Sequence, residues 1–177
     1  MYQFLLAICG LPASGKTTLA SALWKRCKDH LDVQLISTDE WRDEAFYSDF
    51  QPWKEQKVRE RARIETQEFL LIGDSIIHDD TNYYASMRHE LYEMAEFVGC
   101  FFGVIHIVSP LEVALQWNRE HASLIPHEVI ERIDQRFDEP GTKYAWDRPI
   151  IQFDPRTMKI EDAIDEIRNF RLELSKH

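Results

Sequence analysis

Long apolar runs, paired cysteines and an excess of positive charge are all missing from this chain. No stretch approaches the roughly 20 consecutive apolar residues that cross a bilayer. A membrane partner is therefore not expected. The three cysteines, Cys9, Cys27 and Cys100, are odd in number and widely spaced. They suit neither a disulfide framework nor a metal site, and a reducing compartment follows. The first apolar run has no basic segment before it and leads straight into a polar loop, so it reads as a strand rather than a signal peptide. A cytoplasmic protein is the expectation. Basic residues are few: 21 Lys and Arg face 31 Asp and Glu, a net charge of −10. A broad nucleic-acid surface needs the opposite balance, although a local basic patch is compatible with it. The seven histidines are scattered and do not suggest a metal cluster. Repeats and low-complexity segments are absent too. What is left is an ordinary soluble composition, 44% apolar and 29% charged, in a chain of 177 residues. That length suits one domain, over 1–177, with a full core.

Against this plain background one segment stands out. Gly10, Leu11, Pro12, Ala13, Ser14, Gly15, Lys16 and Thr17 fit Gly, four residues, Gly-Lys, then Ser or Thr. This is the pattern of a phosphate-binding loop. Its context agrees, because the apolar run Phe4 to Cys9 leads in and a helical pattern leads out. Gly10 and Gly15 permit a backbone curve that points several N–H groups at one anion. The following helix adds its N-terminal donors at Lys16, Thr17 and Thr18. Lys16 can reach the β- and γ-phosphates of ATP, and the Thr17 hydroxyl can face Mg²⁺.

Strand and helix patterns then alternate along the chain. Leu19, Leu23, Cys27 and Leu31 mark a helix, and Val33 to Ser37 a strand. Glu40 to Pro52 has no clear period and reads as a mobile loop or short helix. Lys54 to Leu71 is a charged helix, and Ser75 to His78 a third strand. Met87, Leu91 and Val98 mark a helix, and Cys100 to Val108 a strand buried on both faces. Pro110 and Pro126 open two helices, the second carrying Val129 to Phe137. Ile150 to Phe153 is a fifth strand, and Ile160, Ile164, Ile167, Phe170 and Leu174 line a last helix. The expected fold is α/β: a five-stranded parallel sheet between helices, with a helical lid over about 117–147. Ligands in such folds bind at the carboxyl ends of the strands. The polar clusters fall there: the loop after the first strand, Asp39 after the second, Asp79 and Asp80 after the third.

Each cluster has a chemical reading. Asp39 can orient an acceptor hydroxyl or take its proton, and Arg42 can neutralise the transferred group. Asp79 or Asp80 can support Mg²⁺, with Asp80 slightly ahead, because strand register is not legible. Arg119 and His121 can reach the phosphates from the lid, while Arg132 and Arg136 lie one turn apart on the next helix. Lys54, Lys57 and Arg61 share a helix face, but Glu55, Glu60, Glu65 and Glu68 interleave with them and favour ion pairs within the helix. Trp41 and Trp53 flank the loop and serve either packing or base stacking.

Several segments together resemble a known family. Asp79-Asp80-Thr81-Asn82-Tyr83-Tyr84, Ser86-Met87-Arg88, Ile125 to Ile130 and above all Arg136 to Asp147 look like the kinase domain of the L-seryl-tRNA(Sec) kinases. The resemblance implies Mg²⁺- and ATP-dependent transfer of a phosphoryl group to a seryl hydroxyl, with Asp39 and Arg42 at the positions of the family's essential Asp and Arg. It also implies tRNA as a partner, weakly, because the family's tRNA-gripping helical domain has no counterpart before His177. A second copy of the chain is left open as a further partner. Where the family's lid carries two arginines, this chain has Trp117 and His121 beside Asn118. Phage-type polynucleotide 5′-kinases resemble it in the same places. So does a nucleotide-binding adaptor of tRNA modification, in which ATP binding drives assembly with little turnover.

Overall fold

The structure is a computed structural model and describes residues 3–49, 51–121 and 125–174, with the backbone alone at Glu44 and over 170–174. Phe50 and the side chains of Phe170 and Leu174 lie outside the described residues.

All four strand pairings are parallel, and five strands form one sheet. In chain order they are β1 (Phe4–Cys9), β2 (Val33–Ser37), β3 (Ser75–Asp79), β4 (Phe101–Ile107) and β5 (Pro149–Phe153). Their spatial order is β2-β3-β1-β4-β5, which puts β1 at the centre. Every residue of β1 is buried, as its unbroken apolar run requires of a strand covered on both faces. Helices α1 (Lys16–Cys27) and α7 (Ile160–Leu174) cover one face, packing Leu19, Leu23, Ala163 and Ile167 on Leu6 and Ile8. Helices α3 (Pro52–Leu71) and α4 (Ala85–Val98) cover the other, where Ala62, Leu70, Leu91 and Ala95 meet Leu5, Ala7 and Ile76.

Three further helices lie at the carboxyl edge. The short α2 (Glu44–Ser48) follows a 3-10 turn at Asp39–Trp41 and is capped by the Asp43 side chain, which accepts from the Phe46 N–H at 2.8 Å. Helices α5 (Leu111–Glu120) and α6 (His127–Gln135) reach into the stretch expected as a lid over about 117–147, and pack through Ala114 and Ile130 on Leu11 of the loop. Three boundaries differ from the periodic pattern. Helix α1 stops at Cys27, so Leu31 packs from the turn that follows. Helix α3 begins at Pro52, whose missing N–H costs nothing in a first turn. Phe137 lies beyond α6, stacked on His106 at 5.5 Å. Among the described residues no helix is long and apolar enough to cross a membrane.

Candidate functional site

Register brings the polar clusters together. Asp79 stands opposite Ile8 of β1 and opposite Ser37 of β2. The segments after β1, β2 and β3 therefore leave the sheet at one level. Backbone bonds tie them, Gly10 N–H to Thr81 O and Thr38 N–H to Asp79 O, both at 3.1 Å.

The loop has the shape its glycines predict. Gly15 sits at φ 93° immediately before α1, and Ala13 also has a left-handed φ of 57°. A Cβ on Gly10 would lie 2.9 Å from the Ile107 carbonyl oxygen, so nothing larger fits against β4. The ammonium of Lys16 is buried and folds back to donate to the Leu11 carbonyl at 2.8 Å. Two buried oxygens in this cradle, Ser14 Oγ and Asp79 Oδ1, lack a hydrogen-bond partner among the described residues. Buried polar atoms are normally satisfied. The cradle therefore fits a phosphate chain and its cation, which would complete these atoms.

The two adjacent aspartates part company. Asp79 faces the loop: its Oδ2 accepts from Ser37 Oγ at 2.8 Å. Burial raises its pKa to about 6, against the pull of Lys16 and the hydroxyls of Thr17 and Ser37. Asp80 turns the other way and pairs with Arg42 at 3.3 Å. Burial opposes its ionisation, yet Arg42 and His78 hold its carboxyl below the usual range. Against the slight preference for Asp80, placement puts Asp79 beside the loop and Asp80 on Arg42. Successive strand residues point to opposite faces, and only the register says which. No group of three or more His, Cys, Asp or Glu side chains that could hold a metal occurs among the described residues. A Mg²⁺ bound here would be held by Thr17 and one carboxylate beside phosphate oxygens, the usual economy for this ion.

Arg42 is buried and saturated. It grips Glu55 with two hydrogen bonds, 3.0 and 2.7 Å, and donates to Thr38 Oγ1 at 2.6 Å. Asp39 lies 3.6 Å away. Burial disfavours its charge, but Asp80, Glu55 and Asp39 more than offset that and raise its pKa. Glu55 does not pair within its helix as the charge pattern suggests, because α3 crosses the end of β2 and presents its first turn to Arg42. The intrahelical reading holds for Arg61 and Glu65, 2.8 Å apart. Trp41 and Trp53 carry cations on their faces, Arg61 at 4.1 Å and Lys57 at 4.8 Å, and neither lines the cavities described next.

Two cavities meet at Asp39. The larger, about 1010 Å³, runs from the loop over Thr17 and Thr18 to Trp117, His121 and the Pro155–Lys159 segment. The smaller, about 230 Å³, lies between Pro12, α2 and α6. Asp39, Arg42, Tyr47 and Ile125 line both. The Thr17 hydroxyl donates to Asp39 Oδ2 at 3.4 Å. Of the lid residues, His121 lines the larger cavity and Arg119 does not. A helix turns about 100° per residue, so Arg119 points away when Trp117, Asn118 and His121 point in. The Pro155–Lys159 segment escaped sequence reading. It follows the fifth strand, and the strand-end rule was its only signal.

Another pair was missed altogether. Arg88 is fully buried and clamps Asp147 with bonds of 2.6 and 2.7 Å, while donating to the Asn82 and Asp138 carbonyls at 2.8 Å. It joins the Asp79–Asn82 segment to the Arg136–Asp147 segment.

Fold and loop together define the class, a P-loop kinase fold. The chain belongs to the KTI12 family, described as chromatin associated protein KTI12, which matches residues 4–176. The L-seryl-tRNA(Sec) kinase of Methanococcus maripaludis is 36% identical over 177 residues, 98% of this chain and 66% of its own length. Protein kti12 of Schizosaccharomyces pombe is 27% identical over 169 residues, 89% of this chain and 60% of its own. The chain thus spans under two-thirds of these relatives. Among solved structures, Chaetomium thermophilum Kti12 in complex with ADP-AlF3 superposes with a TM-score of 0.76 at 22% identity, covering 93% of this chain and 97% of that one.

Proposed function

We propose that the protein transfers the γ-phosphoryl group of ATP to a hydroxyl, with Asp39 as the group that orients and deprotonates the acceptor. The observation that carries this reading is the position of Asp39 on the seam of two cavities, within reach of Thr17. The larger cavity takes the nucleotide, with its phosphates on the backbone N–H groups from Gly10 to Thr18 and on Lys16. That ammonium leaves the Leu11 carbonyl to do so. Thr17 and Asp79 would hold Mg²⁺, which supplies charge neutralisation at the phosphate oxygens. The acceptor hydroxyl enters from the smaller cavity. Its oxygen forms a bond to the γ-phosphorus, the bond from that phosphorus to the bridging oxygen breaks, ADP leaves, and the hydroxyl proton passes to Asp39. Arg42, held by Glu55 and Asp80, fixes Asp39 and adds positive charge beside the transferred group.

The acceptor that fits the similarity to the Methanococcus enzyme is a seryl hydroxyl, that of seryl-tRNA(Sec) or a related seryl compound. The KTI12 family match favours a second reading, a nucleotide-driven adaptor with weak turnover. Labelled ATP separates them when offered with seryl-tRNA(Sec), with a 5′-hydroxyl oligonucleotide and with free serine. Transfer to the first supports the kinase reading with a seryl acceptor. Tight ATP binding with transfer to none supports the adaptor. Turnover unchanged in Lys16→Ala would refute both.

A further inference from the structure

The smaller cavity carries more information than its place beside Asp39. Its cations are disposed unevenly. Arg42 is spent on Glu55, Asp80 and Thr38. Arg132 and Arg136 are not: among the described residues neither guanidinium has a hydrogen-bond or ion-pair partner, and both line the cavity. Glu128 sits four residues before Arg132, in the place for a helical ion pair, yet makes none among the described residues.

The setting gives the two arginines a direction. They lie one turn apart at the end of α6, so they share a face. Ile130, on the opposite side of that helix, is fully buried against Leu11 and Ala114 and fixes its rotation. Tyr47 and Tyr83, whose phenols can donate, line the same cavity. Two guanidinium forks one turn apart, with two phenols in the same cavity, match the oxygens of a phosphate group, to which arginine binds bidentately.

We infer that the smaller cavity binds a phosphate group carried by the acceptor, held by Arg132 and Arg136, while the acceptor hydroxyl lies at Asp39. This rests on the kinase reading for the direction of transfer. The phosphate is either a small monoester or a link of a nucleic-acid backbone. Both are the same chemistry at this cavity, and both arginines are exposed enough for the ligand to continue into solvent.

The test loads the full chain with Mg²⁺ and β,γ-imido-ATP, so that the loop and the γ-phosphate position are filled. Calorimetry then measures the binding of inorganic phosphate, glycerol 3-phosphate and a short single-stranded RNA. The wild type is expected to bind at least one of them. Arg132→Ala/Arg136→Ala is expected to lose roughly tenfold or more of that affinity, as charge-assisted bonds imply. Arg132→Lys/Arg136→Lys should retain part of it, and nucleotide affinity should stay the same in both variants. Loss confined to the two monophosphates assigns a monoester, and loss confined to RNA assigns a backbone phosphate. No binding to the loaded wild type, or equal binding to the double alanine variant, overturns the inference. Failure of the wild type to bind the nucleotide overturns the kinase reading instead.

Discussion

Replacing Arg88 by Met tests the architecture behind the site. The guanidinium is fully buried and makes two bonds to Asp147 and two to backbone carbonyls. Methionine fills much of the volume but removes all four. Asp147 is then left buried, with only the Gly141 N–H at 3.4 Å among the described residues. Breaking a buried ion pair by removing one partner costs about 3–5 kcal/mol, chiefly for the stranded charge. For a domain of this size each kcal/mol lowers Tm by about 2–4 °C, so a fall of about 6–20 °C is expected. Urea titration followed by tryptophan fluorescence measures the free energy, and calorimetry measures Tm. The double variant Arg88→Met/Asp147→Leu removes the stranded carboxylate as well, and should recover part of the loss. A single variant within about 1 kcal/mol of wild type would refute the reasoning. So would a double variant as unstable as the sum of the two single changes, because the pair would then be uncoupled.

Three other outcomes follow. Asp39→Asn should leave nucleotide binding intact and slow transfer about 100- to 10,000-fold, checked by calorimetry beside a labelled-ATP assay; unchanged transfer removes Asp39 from the chemistry. Asp79→Asn should change the pH dependence of stability without ligand. The wild-type carboxyl titrates at about 6 in the folded protein against 3.8 as a free side chain. Between those values the folded state holds a proton that the unfolded state has lost, so this group's contribution falls as pH rises. The stability of Asp79→Asn relative to wild type should therefore grow by about 2 kcal/mol from pH 4 to 7 in a series of urea titrations. A constant difference would show that Asp79 is not buried as described. Gly10→Ala should cost about 1–3 kcal/mol in the same titrations, because its Cβ meets the Ile107 carbonyl oxygen. Nucleotide affinity should fall with it, and a variant equal to wild type in both would show the loop is looser than this.

The legible parts of this protein are local ones. The loop from Gly10 to Thr17 is a pattern of adjacent residues, and its strand–loop–helix context lies within a short stretch of chain. Strands and helices were readable for the same reason, since the apolar period of each is written in consecutive positions. Boundaries were less so. Leu31 and Phe137 continue the apolar pattern of helices that have already ended, because a buried residue in a turn looks the same in sequence as one in a helix.

The site itself needed both levels. Sequence alone determined that a phosphate-binding loop, an Asp-x-x-Arg and an Asp-Asp-Thr-Asn would gather at the carboxyl ends of parallel strands. Tertiary structure decided where each residue stands there. Parallel register turned Asp79 toward the loop and Asp80 toward Arg42. The crossing of α3 over β2 gave Arg42 to Glu55, against the local charge pattern. The rotation of α5 turned Arg119 away from the cavity and His121 into it. Arg88 and Asp147, 59 residues apart, meet only when α4 and the segment before β5 pack together. Such pairings depend on distance in space, and a linear order of residues carries no measure of that.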